Sequence, residues 1–413
     1  MTDGKSTSAA VGAAPYRKGA KEMITVAISA GLRAIKFALV AGALAFVAAC
    51  TPIAGGNGGG GGGGTVKVAL LVPTGSGQAG DEVLGQSLEA AARLAIADLG
   101  EGTKVEMTVY PTAGQPAQAA AMAKKAVEEG AQVILGPVFA QEANAAGVAV
   151  TGSGVNVLAF SNNPDIAGNN VFILGPTFTN TAQRLASYAV RSGKTKFMIA
   201  SDRNIAGQLG RDAIQRGAII AGATVVASAD YEFSQNGIVT AAPQLAAQAK
   251  STGADALFLT ADTAGALPLL SQLLLDNGLR GSGVQFVGLT RWDIPQATLA
   301  LPGVQGGLFA MPDPGRYSQF VERYQAANGQ PPHPIAALAY DGIAALGALA
   351  GSEDSGPISR AGLTQPAGFV GVNGVFRLLG DGTNQRGLAV AQVEGGKIVV
   401  VEAAPSSFGD AGF

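Results

Sequence analysis

Cysteine, histidine and tryptophan occur once each in this chain of 413 residues, as Cys50, His333 and Trp292. A single thiol can neither close an internal disulfide nor build a cysteine-based metal site. One imidazole leaves a zinc pair without its second histidine and makes a serine triad a poor prospect. His333 sits in Pro331-Pro332-His333-Pro334, where a solvated loop is the simplest reading. Charge is sparse as well: Asp, Glu, Lys and Arg make up 14% of the chain, 27 basic against 29 acidic. That balance provides no basic face for nucleic acid. No metal or other cofactor is expected. The uncharged run Phe37 to Ala49 falls short of the ~20 apolar residues that a membrane-spanning helix needs.

Glycine, in contrast, is abundant at 60 residues, and many of them form one run: Gly55-Gly56-Asn57, then Gly58 through Gly64. No side chain there can pack, and glycine loses the most backbone entropy on ordering, so the run reads as a flexible tether spanning on the order of 15–20 Å. Just ahead of it, Val47-Ala48-Ala49-Cys50 ends the apolar run, which follows the basic flank Arg33 and Lys36. The order basic, apolar, small, cysteine resembles a bacterial lipoprotein signal peptide with a lipobox. That resemblance implies that Cys50 is lipidated after export and becomes the mature N-terminus. An ordinary cleaved signal and a buried core cysteine are the alternatives. Met23 is a better start than Met1, because residues 1–22 are polar and Gly/Ala-rich, unlike a signal's basic opening.

From Val66 onward short β-branched runs alternate with helical patterns. Val66 to Val72 reads as a buried strand, and Leu84, Leu88, Ala91, Ala95 and Leu99 then recur at helical spacing. Strands at 105–109, 133–135, 157–160 and 171–174 are separated by helices at 117–129 and 141–149. After Gly175-Pro176 the pattern restarts, with strands at 196–200, 224–231, 256–260 and 285–288 between helices. Strands joined by helices imply βαβ crossovers and parallel sheets. The expected fold is α/β, with two doubly wound parallel-sheet lobes around a ligand cleft. The tail differs: strands at 374–378, 388–393 and 397–401, with turns at Asp381-Gly382 and Gly395-Gly396, look like an antiparallel finish to one lobe.

Several motifs suggest chemistry. Gly75-Ser76-Gly77-Gln78-Ala79-Gly80 matches G-x-G-x-x-G between a strand and a helix, but the second strand ends in Tyr110-Pro111, with no carboxylate for a ribose. A flexible cleft loop is preferred there. Gly152-Ser153-Gly154 and Gly281-Ser282-Gly283 do not complete a nucleophile elbow. Asp81-Glu82 and Glu353-Asp354 read as solvated acids. Trp292, in Thr290-Arg291-Trp292-Asp293 after a strand, is equally readable as core or as a stacking surface for a ligand.

Val68-Ala69-Leu70-Leu71-Val72-Pro73-Thr74-Gly75, Ile134-Leu135-Gly136-Pro137, Phe160-Ser161-Asn162-Asn163-Pro164 and Ala339-Tyr340-Asp341 resemble, in this order, landmarks of type I periplasmic binding proteins of the leucine-binding family. The likeness covers nearly all of residues 66–402. It implies a non-enzymatic protein that binds a small amino-acid or peptide-like ligand between two lobes for an ABC permease. Amino-acid binders of that family carry a hydroxyl residue just after the Gly-Pro step and a Tyr-Gly pair after the first strand of the second lobe. Here those positions hold Phe139-Ala140 and Ala206-Gly207, which removes groups that would hold a zwitterion. Gly288-Leu289-Thr290-Arg291-Trp292, Met311-Pro312-Asp313-Pro314 and Gly368 to Arg377 are similar to lipoproteins that activate penicillin-binding proteins, which implies a cell-wall synthase as the alternative partner.

The expected organisation is an N-terminal extension and signal peptide over residues 1–49, then the lipidated cysteine and tether over 50–64. Lobe 1 takes 65–175 plus 289–350, and lobe 2 takes 176–288 plus 351–413. The resemblance places the cleft at Thr74, Ser76, Phe139, Ala140, Ser161, Asn162, Asp202, Asp262 and Trp292. Ser161 and Asn162 would donate hydrogen bonds, Phe139 and Trp292 would form apolar walls, and Asp262 would receive a cation. A periplasmic location on a lipid anchor is expected. Thr51 after the cysteine, in place of aspartate, favours the outer membrane over the inner.

Overall fold

The computed structural model describes residues 65–100, 103–350 and 358–409. The expected signal peptide, Cys50 and the expected glycine tether lie outside the described residues. Two parallel sheets organise the rest. In the first, β1 (Thr65–Val72), β2 (Lys104–Pro111), β3 (Val133–Leu135), β4 (Asn156–Ala159) and β5 (Val171–Ile173) run in the order β2-β1-β3-β4-β5, parallel throughout. Helices α1 (Ala79–Asp98), α2 (Pro116–Glu128) and α3 (Ala140–Val150) make the crossovers. Strand side chains alternate between faces. Leu70, Val72, Leu135 and Leu158 therefore pack with Leu88 and Ala92 of α1, while Ala69, Leu71, Ile134 and Val157 meet alanines of α2 and α3 on the other face. Small alanines on α2 and α3 let both helices lie close to the sheet.

The second lobe follows the same rule. After α4 (Phe178–Arg191) come β6 (Lys196–Asp202), α5 (Ile205–Ala221), β7 (Thr224–Tyr231), α6 (Gln235–Ser251), β8 (Ala256–Leu259), α7 (Leu267–Leu274) and β9 (Gln285–Gly288). Phe197, Ile199, Phe258 and Val287 face α4 and α5, whereas Met198, Ala200, Leu257 and Leu259 face α6 and α7. The expected fold class is the observed one. Three short strands are missing from the sequence pattern: β10 (Leu308–Met311) and, later, β11 (Phe369–Gly371) and β13 (Asn384–Arg386).

The expected lobe boundaries need correction. Residues 289–311 do not return to the first lobe, because β10 pairs with β9 in parallel and extends the second sheet. The chain crosses only at Pro312-Asp313, where Asp313 caps α8 (Pro314–Asn328) by accepting from Gly315 N at 2.9 Å. Phe320 and Tyr324 of α8 join the first core, as do Ile343 and Leu346 of α9 (Ala337–Leu349). The segment expected in lobe 2 after 350 also begins in lobe 1, since Ile358, Leu363, Phe369, Phe376 and Leu378 all bury there. Here β11, β12 (Gly374–Leu378) and β13 form a small antiparallel sheet. Only β14 (Ala389–Glu394) and β15 (Lys397–Glu402) are the expected hairpin, laid antiparallel against β10. A strand as short as β10 has no periodicity of its own, so only its pairing reveals which lobe it serves.

Three chain connections thus join the lobes: after β5, after β10 and between β13 and β14. One buried network binds them. Asp341 of α9, fully buried, accepts from Arg386 Nη1 at 3.1 Å, from Val372 N at 2.8 Å and from Asn373 Nδ2 at 2.9 Å. Arg386 also donates through Nε to Leu174 O at 2.8 Å and lies over the Phe376 ring. Asn373 O accepts from Asp313 N at 3.2 Å, and Asn384 Nδ2 donates to Ile173 O at 2.7 Å and Gly175 O at 2.9 Å. Across the boundary, Thr177 and Asn180 form a capping box, and Asn180 Nδ2 reaches Asn384 O at 2.9 Å. A Cβ at Gly371 would overlap Asp341 Oδ1, so only glycine lets that turn approach the carboxylate. Removing one partner of a buried ion pair leaves an uncompensated charge. Arg386→Ala is therefore expected to cost about 3–5 kcal/mol in urea unfolding. A loss below about 1 kcal/mol, the scale of a surface pair, would show that the connections do not depend on it.

Candidate functional site

The three connections leave β5 and β10 at their carboxyl ends and enter β14, antiparallel to β10, at its start. In both sheets the edge turned toward the other lobe is therefore the carboxyl edge of the parallel strands. That edge is where ligands bind in open parallel sheets. Its loops form two walls.

On the first wall, β1 and β2 are locked together beyond their ends, with Thr112 N bonded to Val72 O at 2.8 Å and Ala113 N to Thr74 O at 3.1 Å. A Cβ at Gly114 would stand 3.5 Å from Asp81 Oδ2, 3.8 Å from Ser76 Cβ and 3.9 Å from Phe139 Cε2, so these side chains share one corner. Gly136, at φ +88°, turns the chain out of β3 where a Cβ would strike Leu71 O, and this turn launches α3 toward the same corner. In the first turn of α3 lies Glu142, only 1% exposed, with Thr112 and the Phe139 backbone beside its carboxylate but no donor in hydrogen-bond geometry. The Thr112 hydroxyl beside it is committed to Val72 O at 3.1 Å. Burial holds the Glu142 carboxyl above the usual carboxylate range; Thr112 and the Phe139 backbone lower it and the Asp81 charge raises it.

The second wall has a similar build. Asp202 ends β6 and is 6% exposed, and its Oδ2 accepts from Thr260 Oγ1 at 3.3 Å while Oδ1 has no partner. The Tyr231 hydroxyl at the end of β7 is buried beside the Asp202 carboxylate. Burial raises the Asp202 carboxyl, with Asp262 adding to it against the pull of Tyr231 and Thr260. Burial, with the charges of Asp202 and Asp262, keeps the Tyr231 phenol protonated far above its ordinary range. Asp262 itself is exposed after β8, next to Phe233. Ile205, Phe233 and Ile294 project from the loops after β6, β7 and β9 with large exposed side chains.

A description of periplasmic binding proteins matches residues 65–397. The chain belongs to the periplasmic binding protein family. Solved structures similar to it include the periplasmic ligand-binding protein of a branched-chain amino acid ABC transporter from Burkholderia xenovorans, 19% identical with a TM-score of 0.67, covering 83% of this chain and 96% of that one. Another is an ABC transporter substrate-binding protein from Desulfitobacterium hafniense in complex with Leu, 21% identical, TM-score 0.62, covering 82% and 100%. A third is a solute-binding protein from Rhodopseudomonas palustris in complex with 3,4-dihydroxybenzoic acid, 19% identical, TM-score 0.56, covering 82% and 96%. No curated protein matches the sequence. The fold of this family member is thus the type I, leucine-binding architecture.

Of the residues expected in the cleft, Thr74, Ser76, Phe139 and Ala140 sit at strand-end loops of the first lobe, and Asp202 and Asp262 at those of the second. Ser161 is buried at the end of β4, where its Oγ accepts from Asn163 N at 3.1 Å, and Asn162 beside it is exposed. Trp292 is the correction. It is fully buried in the core of the second lobe, stacked on Phe309 at 6.5 Å, and cannot form an apolar wall of the cleft. A Cβ at Gly288 or at Gly307 would overlap its indole, so two glycines make room for it. The solvated reading of His333 also changes: the ring is half-buried, and its Nδ1 accepts from Ile335 N at 3.4 Å. The loop at Gly75 is filled by the chain's own carboxylate, since Gly75 N donates to Glu82 Oε1 at 2.6 Å. Asp81, taken for a solvated acid, belongs to the corner instead. Glu142 and Tyr231 were not signalled; the only hint of Glu142 was an acid two positions beyond Ala140.

A surface depression of about 390 Å³ at Lys124, Val127, Ala149 and Val150 lies at the C-terminal ends of α2 and α3, the opposite edge of the sheet. It is not part of this site.

Two outcomes follow from burial. At low pH the folded and unfolded chains both hold the Glu142 proton; above about pH 4.3 the unfolded chain releases it first, so stability falls with rising pH until the folded carboxyl ionises too. Glu142→Gln is expected to raise the melting temperature at about pH 8 and to change it little at about pH 4; an equal effect at both would contradict the burial argument. Trp292, being core, is expected to keep its fluorescence maximum when ligand binds, and Trp292→Phe to lower stability by about 1–3 kcal/mol without weakening binding.

Proposed function

We propose that this chain is the ligand-capturing component of an ABC-type transport system, held at a membrane through a lipidated Cys50 and free to reorient on its glycine tether. The observation that carries this reading is the facing of two carboxyl strand edges across three connections, with a buried carboxylate, Glu142 or Asp202, on each wall. Small-ligand sites are concave and mostly apolar, with a few convergent polar groups that fix orientation. The connections supply the hinge on which such lobes close. Ala140 and Ala206, in place of hydroxyl-bearing residues, weigh against a zwitterionic amino acid. Titrating the purified chain with amino acids, short peptides and aromatic acids while following its melting temperature tests the reading. A ligand at about 100 times its Kd is expected to add about 2.7 kcal/mol. Failure of a broad small-molecule panel to shift the transition would sink it.

A second reading is favoured by the exposed apolar rim of Ile205, Phe233 and Ile294, which suits a protein surface. In it the chain is an outer-membrane lipoprotein that activates a penicillin-binding protein by contact. Co-purification with a cell-wall synthase, lost in Phe233→Ser, is the expected result for that reading. Retained binding of the variant would remove the rim from the account.

A further inference from the structure

The charges on the two walls are matched. On the first lobe Asp81 stands half-buried at the mouth, with fully buried Glu142 close behind it. On the second, Asp262 is exposed at the mouth, with buried Asp202 behind. Neither oxygen of Glu142 nor Oδ1 of Asp202 has a donor in hydrogen-bond geometry, with Thr112 and the Phe139 backbone beside the first carboxylate and the Tyr231 hydroxyl beside the second. Buried polar groups without partners cost free energy, so folding leaves these positions short of a donor or a cation.

The chain does not provide that cation. The strand-end loops of the first lobe, 73–80, 112–116, 136–140 and 160–165, contain neither Lys nor Arg. In the loops of the second lobe Arg203 is paired with Asp230 at 3.4 Å, and Arg291 with Asp293 through Nε at 2.6 Å. An anionic ligand would therefore meet from these loops only Arg203 and Arg291, each already beside an aspartate. The N-terminus of α3, where an anion would be welcome, already carries Glu142 in its first turn. Large apolar side chains are exposed in the loops of both walls, Phe139 on the first and Ile205 and Phe233 on the second, with Phe233 next to Asp262.

Resting on the reading of this cleft as a ligand site, we infer that it takes an organic dication: two amine or guanidine groups joined by an apolar stem. One end is received by Glu142 and Asp81 of the first lobe, the other by Asp202 and Asp262 of the second, beside the Tyr231 hydroxyl. Closure of the lobes then brings both buried carboxylates onto one molecule. Glu142 decides the class, because it converts an anion-attracting helix terminus into a cation site.

Calorimetric titration of the full chain with 1,4-diaminobutane, 1,5-diaminopentane and agmatine tests this, with n-butylamine, leucine, benzoate and calcium as comparators. The diamines are expected to bind, and n-butylamine to bind about tenfold or more weakly, since it satisfies one end only. Glu142→Gln and Asp202→Asn should each weaken the diamines about tenfold or more. Asp81→Asn, at the half-exposed mouth, should weaken them in the same direction and is expected to keep the fold even if a buried variant does not. Binding of leucine or benzoate without binding of any diamine overturns the cation assignment and leaves the small-ligand reading standing. A response to calcium alone, or diamine affinity unchanged in Glu142→Gln and Asp81→Asn, overturns it as well. Silence from every probe counts against both.

Discussion

The structure hangs on a buried carboxylate, Asp341, and the guanidinium of Arg386 that answers it. Through this pair and its neighbours Leu174, Asn373 and Asn384, the three chain connections between lobes are held at one place. Two charges removed from water are costly unless every remaining hydrogen-bonding site is filled. Asp341 meets that condition with bonds from Val372, Asn373 and Arg386. The pair lies on the first-lobe side of the crossings, so it can fix their positions without locking the second lobe. Arg184 does the matching work across the boundary, donating to Leu388 O at 2.6 Å and pairing with Glu402.

Because the connections sit at the carboxyl edges of the sheets, those edges become the walls of the cleft. The rest of the interior obeys ordinary packing, with apolar strands covered on both faces by helices rich in alanine and leucine. The walls depart from it. Glu142 and Asp202 are buried with carboxylate oxygens that lack a donor, as Trp292 Nε1 and Asn384 Oδ1 lack partners elsewhere. Local violations at a cleft are expected where a protein keeps groups for something other than its own stability. Buried carboxylates of this kind stand on both walls, and that is what bears on ligand chemistry.

Much of the fold was legible beforehand. The strands at 133–135, 224–231, 285–288 and 374–378 stand where their β-branched runs placed them. Helix periodicity located α1 through α6 to within a few residues, apart from the start of α1. Thr74, Phe139 and Asp202 stand at or beyond the carboxyl ends of strands, where the pattern put them. What escaped depended on distant partners. β10, β11 and β13 are too short to show a period, and the lobe boundaries moved with them. Trp292 was ambiguous because a strand-end aromatic faces either the core or the cleft, and the space left by Gly288 and Gly307 is visible only in three dimensions.

By itself the sequence determined the alternation of strand and helix, hence two parallel sheets, since a period of two or of 3.6 is a local property. It also determined the scarcity of charge and of thiol and imidazole groups that rules out much catalytic and metal chemistry. Only the tertiary structure decided which lobe each segment serves, which carboxylates are buried without a partner, and that they stand on both walls. Those are properties of contacts between residues far apart in the chain, as Asp341 with Arg386 and Asp202 with Thr260 show. Burial and pairing, unlike periodicity, are set by whatever the fold brings alongside.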